Sequence, residues 1–487
     1  MRRPRFIASA AAAIGAGVTP LRAFGATPAS GMLSAAQAAP IAAAVMRTMS
    51  ATGTVGVNVA VARDGEIVYA KGFGLRDVAA NLPVEAETIF PIGSITKQFT
   101  SAAIMLLVRD RKVGLDAKAA EYVPLAPHAT EYTVRNLLQQ TTGLANYTGV
   151  PAFLNAVATS ATITPDAMVA MIAREPLAFA PGSQFAYSNT NYVVLGMIVE
   201  AVARMPYGRF IAERIARPLG LAHLTFGPPP AGSELARGYE PQTGNAAVTP
   251  WTPQATYAAG GLYATPADLV RWNDAFFGGR LLDAATVRAM TTPPALAGNE
   301  KSTYAMGWVR GDVDGHPEIW HNGAVIGAHA RTAYFPDERI SVIAFGNSTS
   351  FDPTRIERDA FRALVPPSEA QLAADRVRES TPAAGEDEAI TAAAKAEYER
   401  WRAGNVDPSQ YSAPMRAELS AMVRQVGPGL AALGAPTAFL YRGKQLVPSL
   451  FATSYVYRVT TPGGAVQYVY TVDRAGKIGG MYFKPVP

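Results

Sequence analysis

Residues 90–97 read Phe90-Pro-Ile-Gly93-Ser94-Ile-Thr-Lys97. The apolar residues that follow, Phe99, Ala102, Ala103, Leu106 and Leu107, recur at helical spacing. This pattern predicts a helix whose first turn carries Ser94 and Lys97, three residues apart and so on one face. A serine hydroxyl is a weak nucleophile that needs a base or cation beside it. A helix start adds partial positive charge and free N–H groups where an oxyanion would form. Taken alone, S-x-x-K is equally an ordinary serine cap followed by a lysine. The rest of the chain has to decide.

Working outward, Leu33 to Met49 is Ala-rich and predicts a helix. Val55 to Ala62 and Glu66 to Tyr69, joined by Asp64-Gly65, predict a β-hairpin. From Ser94 to about Asn273 helical patterns alternate with Pro and Gly. Strand signals return at Ile319-Trp320, Arg331 to Phe335 and Ile340 to Phe345. Strands at both ends of a helical region predict an α+β domain: an antiparallel sheet closed by the two ends, flanked by helices, with a mostly helical subdomain between. Pro366-Pro367 marks a boundary. Residues 366–386 read as a linker holding a short helix. A helical run from Ala389 to Ala403 and strand-like runs at Ala438–Arg442, Ser454–Thr460, Val466–Val472 and Ile478–Phe483 then predict a small helix-plus-antiparallel-sheet domain over 387–487.

Two further stretches bear on Ser94. Tyr187-Ser188-Asn189 precedes the apolar run Tyr192 to Met197. A tyrosine there would take a proton from Ser94 only if a cation such as Lys97 stabilised its phenolate, because an unperturbed phenol titrates near about 10. Otherwise Tyr187 packs and Asn189 caps. His321-Asn322-Gly323-Ala324 lies in a strand-like region whose edge would pair with an extended substrate and offer a backbone N–H to an oxyanion. Otherwise His321 is a satisfied histidine.

In the order S-x-x-K, Y-x-N, H-x-G the chain resembles the serine β-lactamase and penicillin-binding-protein superfamily. It looks most like the class C-related branch that includes D-alanyl-D-alanine carboxypeptidases, D-aminopeptidases and esterases. Thr133 to Leu144, Gly260 to Leu269 and Tyr304 to Trp308 are similar to further stretches of that branch, over about residues 32–365. The resemblance implies a β-lactamase/transpeptidase-like fold, with Ser94 as acylated nucleophile and Lys97 assisting its deprotonation. Tyr187 would be general base and then acid, although whether Lys97 or Tyr187 accepts the first proton is not readable from residues. Asn189, His321 and Gly323 would contact substrate. The backbone N–H groups of Ser94 and Ala324 would form the oxyanion hole. β-Lactamases usually carry lysine where His321 stands, which favours peptides of D-amino acids or small esters over β-lactams. Gln139-Gln140 stands where a histidine is common. The implied activity is an acyl-enzyme serine hydrolase without a cofactor; a β-lactamase proper, or an inactive binding protein on the same fold, are the alternatives.

Composition narrows the remaining classes. Among 487 residues there is no cysteine, so thiol catalysis and disulfides are excluded. The five histidines show no zinc-ligand spacing, G-x-S-x-G and G-x-x-x-x-G-K-[ST] are lacking, and no metal is expected. The formal charge of +5 suggests a polyanion partner until it is located. Arg2, Arg3, Arg5 and Arg22 supply four of those charges inside residues 1–25, around a small-residue apolar stretch ending near Ala23-Phe24-Gly25. That segment reads as an export signal, Sec or twin-arginine, for a periplasmic or extracellular protein. Residues 26–365 are then the hydrolase domain, with no nucleic-acid partner, no integral membrane span and a C-terminal domain of unknown partner.

Overall fold

The computed structural model describes residues 31–158, 163–230, 232–241, 246–248, 252–296, 302–447, 452–473 and 475–486. The segment read as an export signal lies outside the described residues.

A seven-stranded antiparallel sheet organises the described residues up to 365. Its order is Leu82–Pro83, Glu66–Asp77, Gly56–Arg63, Ile340–Gly346, Ala328–Phe335, His316–Val325 and Val309–Val313. The two ends of the region meet at its centre, with Val57 opposite Gly346 and Arg63 opposite Ile340. The expected hairpin is present, and its second strand runs eight residues further than the apolar signal, to Asp77. Gly56 to Ala62 are all buried because both faces of the sheet are covered. Val57, Val59 and Val61 pack with Phe335 and Val342 under two helices, Ala35–Thr52 and Thr354–Leu364. Ala60, Ala62, Ile343 and Phe345 face the opposite way and join a larger core with Phe99, Leu107, Tyr192 and Trp272. This two-sided burial explains why the first strand's sequence alternates only loosely.

The helical subdomain fills that second core. Its central helix, Thr96–Arg109, is buried from Thr96 through Leu107. Five polar side chains, Thr96, Lys97, Gln98, Thr100 and Ser101, are therefore taken into the interior with it, and each needs partners there.

A third core is drawn from residues 394–481 alone and is rich in aromatics: Tyr398, Trp401, Tyr411, Tyr441, Tyr457 and Tyr468 are each buried. The four expected strands are present as Ala438–Val447, Ala452–Thr461, Gly464–Asp473 and Ile478–Val486, paired antiparallel in chain order. A 21-residue helix, Ala413–Leu433, adds to the reading from sequence. It carries Gly427-Pro428-Gly429 within it, residues that ordinarily punctuate a helix.

Candidate active site

Ser94 does not cap the helix. It sits in the single 3₁₀ turn Gly93–Ile95 that leads into Thr96–Arg109, and no side-chain cap bond forms at either start. Its hydroxyl is bonded to the other two predicted groups instead. Tyr187 Oη donates to Ser94 Oγ at 2.8 Å, and Lys97 Nζ lies 3.0 Å from the same oxygen.

Lys97 is fully buried. Its Nζ has two more partners, Asn189 Oδ1 at 2.9 Å and the Ala259 carbonyl at 2.7 Å. It also stands 4.9 Å from the centre of the Tyr187 ring and 5.4 Å from that of Tyr192. None of these neighbours is an anion. Burial therefore holds the Lys97 amine well below the ordinary lysine pKa. The Ala259 carbonyl reaches inward because Tyr257, two residues earlier, holds φ 40° and ψ −133° and turns the chain there. The Ala258 carbonyl beside it accepts from Thr100 Oγ1 at 2.7 Å. The sequence contains Gly260-Gly261 at this point but no sign that a backbone oxygen faces the lysine.

Tyr187 stands on the loop before helix Asn189–Ala203. Burial pushes its phenol well above the usual value, and the bond to Ser94 partly offsets that. The loop is held from the Thr133–Leu144 stretch. Gln140, buried and at φ 60°, accepts from Ala186 N through its carbonyl at 3.0 Å and from Ser188 N through Oε1 at 3.0 Å. The same Oε1 accepts from Asn191 Nδ2 at 2.5 Å, and Asn191 Oδ1 accepts from Thr142 Oγ1 at 2.6 Å. Asn189 Nδ2 lies 3.5 Å from Thr148 Oγ1, while its oxygen is taken by Lys97.

The fourth wall is strand His316–Val325. Its outer neighbour pairs only with His316 to Trp320, so the edge from His321 to Val325 is free of it. That edge passes directly over the nucleophile turn. A Cβ on Gly323 would overlap the Ile92 carbonyl oxygen, and one on Gly93 would lie 2.6 Å from Ala324 N. Only glycine at both positions lets the two backbones approach this closely, and the approach puts Ala324 N against Gly93, in the turn that carries Ser94. His321 is buried with 5% exposure, at the edge of the Tyr304 ring and next to Tyr187. Its Nδ1 is 2.5 Å from the Asn322 carbonyl, which only accepts, so Nδ1 carries the proton. Burial and the nearby Lys97 push its pKa down to about 3, so the ring is neutral. Ser94, Lys97, Tyr187, Asn189, His321, Gly323 and Ala324 are thus in one place. Gln140, Ala259 and Tyr304 belong to the same cluster and were not singled out from sequence as site residues. Among the described residues, no group of three or more His, Asp or Glu is arranged to hold a metal ion, and no helix is long and apolar enough to cross a membrane.

A family profile described as Beta-lactamase matches residues 41–366. A putative penicillin-binding protein PbpX of Bacillus subtilis is 30% identical over 256 residues, covering 51% of this chain and 60% of that protein. A D-aminopeptidase of Cereibacter sphaeroides is 28% identical over 297 residues, covering 59% of this chain and 55% of its own length. The chain thus spans little more than half of these relatives. Among solved structures, D-amino acid amidase from Ochrobactrum anthropi superposes with TM-score 0.60 at 26% identity, over 68% of this chain and 98% of that one.

Proposed function

This chain belongs to the Beta-lactamase family, and from that premise we propose that it is a serine hydrolase that works through an acyl-enzyme on Ser94. The observation that carries the reading is the convergence of Lys97 Nζ and Tyr187 Oη on Ser94 Oγ, at 3.0 and 2.8 Å. The proton inventory is consistent with one division of roles. Two of the three Lys97 partners, the Asn189 and Ala259 carbonyl oxygens, can only accept. A neutral amine satisfies both with its N–H groups and aims its lone pair at the Ser94 hydroxyl. Burial without an anion favours that neutral form. Lys97 then takes the Ser94 proton as Oγ bonds to the substrate carbonyl carbon. The charge on the carbonyl oxygen falls to the N–H groups of Ser94 and Ala324. Tyr187, which burial keeps protonated, gives its proton to the leaving nitrogen or oxygen as that bond breaks. The proton on Lys97 passes to the neighbouring Tyr187 phenolate, both groups lying within 3.0 Å of Ser94 Oγ, and restores the phenol. Water then repeats the sequence on the acyl-enzyme and frees Ser94.

The substrate class we propose is amides and peptides of D-amino acids and small esters, acted on in the periplasm or outside the cell if residues 1–25 direct export. The named relatives support the first part. The neutral His321 supports it too, because a buried uncharged imidazole gives a substrate carboxylate no cation. We read 26–365 as the hydrolase unit and 387–487 as an accessory module, since the third core draws nothing from the first two. Incubation with a fluorescent fluorophosphonate should label the protein, and Ser94→Ala should abolish the label. Wild-type protein that no acylating or phosphonylating probe labels sinks the reading.

A further inference from the structure

We propose that Gln140 is a positioning residue for catalysis, the one that fixes Tyr187 over the nucleophile. Its carbonyl and its side-chain oxygen take the N–H groups of Ala186 and Ser188, the residues on either side of Tyr187. A third bond, from Asn191 Nδ2, ties the same oxygen to the first turn of the helix that begins at Asn189. Both residues flanking the phenol are thereby referred to a single buried amide that lies on another element and has no bond to Ser94 or Lys97. The backbone at Gln140 adds a second sign. A non-glycine residue with φ 60° sits in a sparsely populated region, and such strain persists where the surroundings over-determine it. The strained turn is what lets one residue present main-chain and side-chain oxygens to the same loop.

The inference rests on the hydrolase reading above, and its test separates the two. Gln140→Leu removes the side-chain acceptor, while Gln140→Glu keeps an acceptor oxygen in nearly the same place. With p-nitrophenyl acetate as the probe, Gln140→Leu should lower kcat by about 10-fold to 100-fold, with KM within about threefold, as a displaced acid–base group does. Gln140→Glu should recover most of that loss. The thermal midpoint of each variant is followed alongside, and a Leu variant that does not fold leaves Gln140→Glu and Gln140→Asn to be compared, with Asn, whose shorter arm withdraws the acceptor, the slower. A folded Gln140→Leu enzyme with wild-type kcat overturns the proposal. So do Leu and Glu variants that are equally slow, or an Asn variant as fast as Glu. If wild-type protein neither turns over the ester nor takes the fluorophosphonate label, the hydrolase reading fails and takes this inference with it.

Discussion

Lys97 and Arg331 are both buried cations, one in the helical core and the other between the sheet and the helix Thr354–Leu364. Arg331 is bonded to Glu318 Oε1 at 2.5 Å, to Glu357 and to Asn322 Oδ1 at 3.0 Å, and its guanidinium stacks 4.1 Å over Trp320. Lys97 has a hydroxyl, an amide and a backbone carbonyl and no carboxylate. A charge taken out of water costs several kcal/mol unless it is paired. The arginine is paired twice and remains a charge, as a guanidinium always does. The lysine has no such partner, so burial pulls its pKa down and favours loss of its proton, the form that the proposed role as base requires. The difference separates a cation that holds two elements together from one kept poised for chemistry.

Replacing each in turn tests that separation. Lys97→Met should lower kcat/KM for p-nitrophenyl acetate by about 10³-fold or more, at the upper part of what general acid–base groups supply. It should not lower the thermal midpoint. Activity within tenfold of wild type would remove Lys97 from the mechanism. Arg331→Met should do the reverse. Two buried carboxylates, Glu318 and Glu357, lose their partner, so the urea-unfolding free energy should fall by about 3–5 kcal/mol. The folded remainder should keep acylating at Ser94. If this variant is stable and inactive, the arginine network serves the site and the contrast collapses. Tyr187→Phe comes next. It keeps the ring against Tyr304 and loses only the hydroxyl, so turnover should fall by about 10²-fold with the unfolding midpoint unchanged. Full activity would reject its role as acid.

The two cations also differ in how visible they are in sequence. Lys97 is found because it lies one turn from Ser94 on a helix whose period is plain, and Tyr187 because the order S-x-x-K, Y-x-N, H-x-G resembles the serine β-lactamase superfamily. Arg331, Glu318 and Glu357 are brought together only by strand register, Ile319 opposite Tyr334 and His321 opposite Thr332, and by a helix that returns to cover the sheet. Nothing local marks them. Gln140 sits between these cases. Two adjacent glutamines follow the apolar Leu137-Leu138 just before Thr-Thr-Gly, an odd place for a long polar side chain. Which of the pair turns inward depends on a left-handed backbone that no residue type there demands. The helix Ala413–Leu433 escaped for a related reason. Its Gly-Pro-Gly reads as a break, while packing against the helix Glu388–Ala403, with Gly427 close to the Trp401 carbonyl, and against the sheet outweighs local propensity.

The smallest effect distinguishes the cations without using activity at all. Burial lowers the Lys97 pKa from its ordinary 10.5 in the folded chain. Between that lowered value and 10.5 the unfolded chain holds a proton that the folded one lacks, so stability rises with pH across that window. Below the lowered value both states are protonated and the penalty of the buried charge is fully present. The buried tyrosines work against this only above about pH 10, where the unfolded phenols ionise first, so the comparison belongs below about pH 9. In that range Lys97→Met should be stabilised most relative to wild type at low pH, with the gap narrowing as pH rises. The lost hydrogen bonds add only a constant to that difference and do not touch its slope. Arg331→Met should instead lie below wild type across the same range, because it strands Glu318, whose carboxyl burial already holds above its ordinary value, beside Glu357. Urea midpoints for the three proteins at a series of pH values decide it. A Lys97→Met curve parallel to wild type would mean that the lysine keeps its proton throughout, and Tyr187 would then have to be the first acceptor.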